Sequence, residues 1–383
     1  MLTGWFETGS RPASRVERFS PGRPLLLASG ARLDSVQVAY ETYGSLNSAG
    51  DNAVFVCHAL TGDSHVTRKD AGEPPGWWES MVGPGKPIDT DRYLVICANV
   101  LGGCAGTTGP WAPGPDGQPY GPEFPRVTIS DMVAVHRELL AGLGIGRLHA
   151  VVGGSMGGMQ ALEWLLRHPD DAAGFLIVAA TARQSADNLA WNAIARHAIR
   201  NDVKFQAGRY EPGDGPRAGL GVARMIAHIT YLSEFSLHRK FGRRHRKAGT
   251  RQYSSVVVQG DHAVESYLEH QADKFLRRFD ANSYLQLMSA MDHFDAFAVP
   301  DRLAEAESLP EVCLFSFERD RLFGPAHSEL IQIELAERGL LARHERDGAA
   351  DVGHDAFLLD VPQFLSVADE FLQGIRGRQG VLR

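Results

Sequence analysis

Apolar residues along this chain fall into two alternating patterns: short unbroken runs, and longer stretches with apolar positions three or four apart. Unbroken runs at Ala53-Val54-Phe55-Val56-Cys57, Tyr93-Leu94-Val95-Ile96-Cys97, 148–152, 174–180 and 312–317 predict buried strands. Helical spacing predicts helices over 129–143, from Met156 to the stop at Pro169, over 328–338 and over 362–375. Two period-2 segments, 24–27 and 36–43 with Gly30 between them, predict an opening antiparallel hairpin. Strands alternating with helices imply a mostly parallel sheet covered on both faces.

From about Gln184 the pattern changes. Residues 184–295 carry helical periodicity with few strand-like runs, broken near 208–219 and 243–260. The expected organisation is an α/β core built from 1–183 and 296–383, with an all-helical lid inserted at 184–295. No internal repeat is present.

The stretch LHAVVGGSMGGMQALEWLLRHP, 148–169, holds the chemistry. Gly153-Gly154-Ser155-Met156-Gly157 matches G-x-S-x-G between a predicted strand and a predicted helix, the setting of a nucleophile elbow. Glycines at the corners of so sharp a turn leave room for backbone and allow a strained Ser155. The Met156 amide, at the positive end of the following helix, then faces any developing oxyanion.

A serine hydroxyl needs a base, and the base an orienting carboxylate, which follow in the order Ser, acid, His in this architecture. The acid belongs after a late strand, where Glu318-Arg319-Asp320 stands. Asp320 is preferred because it lies further beyond the strand's end, although a turn aspartate is the plain alternative. The base belongs before the last helix, where Gly353-His354-Asp355 stands. His58, at the end of an early strand, is the rival base. Its place suits the oxyanion loop better, with the Leu60 amide pairing with that of Met156. Asp351, His354 and Asp355 have metal-ligand chemistry, but no second cluster completes a site.

Composition narrows the class. A net charge of −7 argues against nucleic-acid and acidic-membrane partners, and the basic cluster at 239–247 reads as a solvated loop or helix end. Cys57, Cys97, Cys104 and Cys313 lack paired spacing, and three lie in strand-like runs, so core thiols are expected. The polar opening, MLTGWFETGSRPASRVERF, has no export-type apolar run, and no run elsewhere reaches membrane-spanning length. A cytoplasmic enzyme is expected.

Taken together, the motifs resemble the homoserine O-acyltransferases of the α/β-hydrolase superfamily. The likeness runs from Ala39-Tyr40-Glu41-Thr42-Tyr43-Gly44 to Gly353-His354-Asp355-Ala356-Phe357-Leu358. It passes through Cys57-His58-Ala59-Leu60-Thr61-Gly62, the elbow, Ala223-Arg224-Met225-Ile226-Ala227-His228-Ile229-Thr230-Tyr231 and Arg278-Phe279-Asp280-Ala281-Asn282-Ser283-Tyr284. The resemblance implies Ser155 as nucleophile, His354 as base and Asp320 as its partner. It also implies Arg224 and Asp355 as amino-acid ligands, with Tyr231 beside them. The implied reaction is ping-pong acetyl transfer from acetyl-CoA to the hydroxyl of L-homoserine, in methionine biosynthesis. Succinyl-CoA as donor, serine as acceptor, and esterase activity are the alternatives. No metal or redox cofactor is implied, and a homodimer paired through the lid helices is. One departure touches the donor: Gly106-Thr107-Thr108-Gly109-Pro110 has threonine where many acetyl-transferring relatives have serine.

Overall fold

The computed structural model describes residues 16–211, 213–245 and 262–375. Its centre is an eight-stranded sheet of β1 (Glu17–Phe19), β4 (Val38–Tyr43), β5 (Ala53–Cys57), β6 (Leu94–Ala98), β7 (Leu148–Gly154), β8 (Ala172–Val178), β9 (Glu311–Phe317) and β10 (Ala342–Asp347). The spatial order is β1-β4-β6-β5-β7-β8-β9-β10. β1 and β4 are antiparallel to their neighbours, and every other pairing is parallel.

The central strands are apolar on both faces because both faces are covered. Phe55, Ile96, Val151 and Phe175 point to one side, beneath α1 (Ile129–Gly142), α2 (Met156–Arg167) and α8 (Pro325–Glu337). Val54, Val56, Val152 and Phe315 point to the other, against α9 (Pro362–Gly374) and Trp78. Thr128 caps α1, taking the Asp131 amide while the Asp131 carboxylate takes the Thr128 amide.

Between β8 and β9 the chain forms α3 (Ala186–Arg200), α4 (Arg217–Tyr231), α5 (Glu234–Phe241), α6 (Ala263–Phe275) and α7 (Ala281–Asp292). α4 packs between α3 and α6. Its C-terminal end is tied to the core: the Ser233 amide donates to Val352 O at 2.7 Å, and the Ser233 hydroxyl donates to Asp351 O. The basic cluster begins in the last turn of α5, as expected of a helix end; Arg246 and Lys247 lie outside the described residues.

The opening hairpin differs from the expected one. β2 (Leu25–Leu26) pairs with β3 (Arg32–Leu33) about Gly30, and β4 joins the main sheet instead. The turn closes tightly, with the Leu27 amide donating to Ala31 O, so only a two-residue ladder fits. The two edge strands were not expected at all. β1 reads Glu-Arg-Phe and β10 Ala-Arg-His-Glu-Arg-Asp, and charge on an edge strand hides it from a hydrophobicity pattern while blocking pairing with other chains.

All four cysteines are free thiols. Cys57, Cys97 and Cys313 are buried, and Cys104 is half-buried with its thiol toward Arg278 O. Among the described residues no helix is long and apolar enough to cross a membrane.

One buried contact joins the fold to the loop bearing His354. The indole of Trp78 donates to Phe357 O at 2.7 Å and meets the Phe357 ring edge-on. Trp78→Phe leaves that buried carbonyl unpaired, and urea unfolding should show a loss of about 1–3 kcal/mol. A loss below about 0.5 kcal/mol, the range of an ordinary surface change, would mean that the contact contributes little.

Candidate active site

Ser155 stands between β7 and α2 with φ 59° and ψ −124°, a positive-φ conformation that turns normally give to glycine and that strains serine. The elbow holds it there through backbone contacts. Its amide donates to Val178 O at 3.0 Å, and its carbonyl accepts the Met159 amide at 3.1 Å. The flanking glycines are required by space. A Cβ on Gly153 would lie 2.1 Å from Gly157 O, and one on Gly157 would lie 2.0 Å from Cys57 O.

His354 lies in the turn before α9, 2.8 Å from the Ser155 hydroxyl through Nε2 and 2.7 Å from Asp320 Oδ2 through Nδ1. The rings of Phe323 and Phe357 stand edge-on to the imidazole and hold its plane. Asp320 serves both readings offered for it. Oδ1 takes the Leu322 and Phe323 amides in the turn after β9, which leaves Oδ2 for the histidine. Glu318 is exposed and does not reach this group. Burial pushes the His354 pKa down, but the charge and hydrogen bond of Asp320, with the charge of Asp355, outweigh it and raise the pKa above 6.5.

His58 is not near this relay in function. Its Nε2 accepts the Val100 amide and its Nδ1 faces Ala59 O at 2.7 Å, so the ring is spent on bracing the 58–62 loop. Gln160 on α2 braces it from below by donating to His58 O. Arg278, which sequence reasoning did not single out, donates to Thr61 O at 2.7 Å from the turn between α6 and α7. Leu60 lies in that loop and borders a narrow pocket with Trp191, Tyr231, Tyr284, Met288 and Phe323. Met156 is the first residue of α2, where an amide has no acceptor within its own helix.

α4 brings the implied ligands to the same place. The Tyr231 ring lies 5.7 Å from the His354 ring, and the Arg224 guanidinium lies 5.8 Å over Tyr231 and 4.8 Å over Phe275. Arg224 Nε and Nη1 are buried with no hydrogen-bond partner among the described residues. Burial raises the Asp355 pKa, opposed by the charges of His354 and Arg224. Asp351 belongs elsewhere, pairing with Arg239 and Arg319. Thr107 also lies away from this group: its hydroxyl accepts the Ala39 amide and ties the glycine-rich loop to β4.

The comparisons agree with this fold. A family model described as the α/β-hydrolase fold matches residues 52–361. A homoserine O-acetyltransferase of Rhodopseudomonas palustris is 47% identical over 94% of this chain and 91% of its own length. A homoserine O-succinyltransferase of a Nocardioides species is 48% identical over 96% of this chain and 98% of its own. Among solved structures, esterase E22 matches with a TM-score of 0.83 at 28% identity over 93% of this chain and 99% of its own. Homoserine O-acetyltransferase from Bacillus anthracis matches at 0.81 and 27% identity over 94% and 97%.

The relay makes a pH prediction. His354 must be neutral to accept a proton, so the acid limb of the acylation rate should have its midpoint above 6.5. Asp355→Asn removes a negative neighbour and should move that limb to lower pH; no movement, or an upward one, would remove Asp355 from the relay's electrostatics. With this fold, this geometry and relatives of this similarity along nearly its whole length, the chain belongs to the homoserine O-acyltransferase family of the α/β-hydrolase fold.

Proposed function

We propose that this enzyme transfers an acetyl group from acetyl-CoA to the side-chain hydroxyl of L-homoserine through an acyl-serine. One observation carries the reading. A Ser155–His354–Asp320 relay lies one aromatic ring away from half-buried Arg224, whose buried Nε and Nη1 have no hydrogen-bond partner among the described residues. Ester hydrolysis needs the relay and its oxyanion donors but no such cation. A cation with unpartnered donors beside the relay suits an acceptor that carries its own carboxylate.

In the first half-reaction His354 Nε2 takes the Ser155 proton as Oγ attacks the thioester carbonyl. The amides of Leu60 and Met156 hold the oxyanion, and the C–S bond breaks as His354 returns the proton to sulfur. In the second, the homoserine hydroxyl gives its proton to His354 and attacks the acyl carbon. Ser155 then leaves with that proton. Arg224 binds the acceptor carboxylate, Asp355 its ammonium, and Tyr231 forms the wall between them and the base. Nucleophile, base and oxyanion donors are all protein groups, so the reaction calls for no metal or redox cofactor.

The helices α3–α7 act as a lid that keeps water from the acyl-enzyme. Exposed Leu189 and Ile194 on α3 and Val222 on α4 support pairing of two copies through these helices. The cytoplasm, where CoA thioesters and free amino acids meet, is the proposed location, and methionine biosynthesis the proposed setting. Succinyl-CoA is the second reading of the donor, favoured by the name of the Nocardioides relative.

Separate assay of the half-reactions tests the proposal. Ser155→Ala should form no acyl-enzyme while remaining folded. Arg224→Ala should still acylate, but transfer to homoserine should fall about 10- to 100-fold, as for a lost hydrogen bond to a charged group. Slower acylation with unchanged acceptor saturation would assign Arg224 to the donor instead.

A further inference from the structure

α4 presents a second side chain next to Arg224. His228 follows it by four residues, one helical turn along the same face, and is only 6% exposed. Its ring touches two tyrosines: Tyr231 at 6.1 Å between centroids, and Tyr267 of α6 at 5.7 Å. Nδ1 lies 3.3 Å from the Tyr267 hydroxyl. Nε2 is buried and, like Arg224 Nε and Nη1, has no hydrogen-bond partner among the described residues.

The protonation state follows from these surroundings. Burial, with the positive charges of Arg224, Lys240 and Lys274, pushes the His228 pKa down to about 3, so the ring is neutral at working pH. Imidazole nitrogen is a stronger base than phenol oxygen, so the Tyr267 hydroxyl donates to Nδ1. The imidazole proton then sits on Nε2. A buried N–H with no acceptor is costly unless something supplies one. The same deficit exists at Arg224, and both side chains flank Tyr231, the residue beside the catalytic base.

We propose that His228 is a second ligand for the acceptor's carboxylate, its Nε2–H donating beside the Arg224 guanidinium, with Tyr267 as the positioning residue that fixes its tautomer. The inference rests on the homoserine-acylating reading above. It gives the carboxylate donors from two successive turns of one helix. That defines the acceptor's orientation, and so the direction of its hydroxyl, more tightly than one flexible arginine would.

The test compares two acceptors, L-homoserine and 3-aminopropan-1-ol, which is homoserine without its carboxylate. Each is added to enzyme acylated by acetyl-CoA, in wild type, His228→Leu, His228→Gln and Tyr267→Phe. A burst of CoA release in wild type supports the underlying reading; its absence would defeat that reading before His228 is at issue. The same burst in each variant shows an intact first half-reaction.

The homoserine KM should then rise about 10-fold or more in His228→Leu, the range for a lost charge-assisted hydrogen bond. Transfer to 3-aminopropan-1-ol should change less than about twofold. His228→Gln, whose amide keeps a donor near the Nε2 position, should recover most of the loss, and Tyr267→Phe should raise the homoserine KM alone, by a smaller factor. Equal losses on both acceptors, or an unmoved homoserine KM, would overturn the assignment. Should His228→Leu give no burst, the same comparison in His228→Gln and Tyr267→Phe decides.

Discussion

The backbone constraint at Ser155 is the feature on which the rest of the site depends. Its left-handed φ costs on the order of 1–3 kcal/mol and persists only because the surroundings leave no alternative. Those surroundings are the close approach of β5 to α2 at Gly157 and the hydrogen bonds from Ser155 to β8 and to its own helix. The strain has a chemical return. It lifts the hydroxyl clear of the sheet, sets it 2.8 Å from His354 and leaves the Met156 amide at an unpaired helix start. A relaxed turn would satisfy Ser155 locally and point it elsewhere.

Around that fixed point the protein distributes charge unevenly. The Asp320 carboxylate is engaged through both oxygens, one on two amides and the other on His354, which fixes the imidazole. Arg224, by contrast, is half-buried against Tyr231 and Phe275, with its Nε and Nη1 unpartnered among the described residues. A well-satisfied relay beside a poorly satisfied cation fits an enzyme whose chemistry is general but whose acceptor is selected. The likeness to both an esterase and acyltransferases is consistent with that division, because the relay is common to both activities.

Much of this was legible in the sequence where the signal was local. The elbow, the strands buried on both faces and the turns carrying Asp320 and His354 each lie within a few residues of a strong pattern. Spacing favoured Asp320 over Glu318, and the burial of Asp320 with the exposure of Glu318 agrees. The edge strands β1 and β10 were invisible because exposure lets them carry charge, and the opening hairpin was misassigned because β4 pairs across the sheet rather than locally. His228, Tyr267 and Arg278 were given no role for a different reason. Their significance lies in what they face across helices far apart in sequence, although the four-residue step from Arg224 to His228 was there to be read.

Intact-protein mass spectrometry of a single turnover tests the central claim most directly, namely that a strained serine accepts the acyl group and a carboxylate-bearing acceptor removes it. Mixing the enzyme with acetyl-CoA alone should yield an acetyl adduct that maps to Ser155, and L-homoserine should discharge it far faster than water does. No adduct, an adduct on another residue, or discharge at the same rate with and without homoserine would contradict the account.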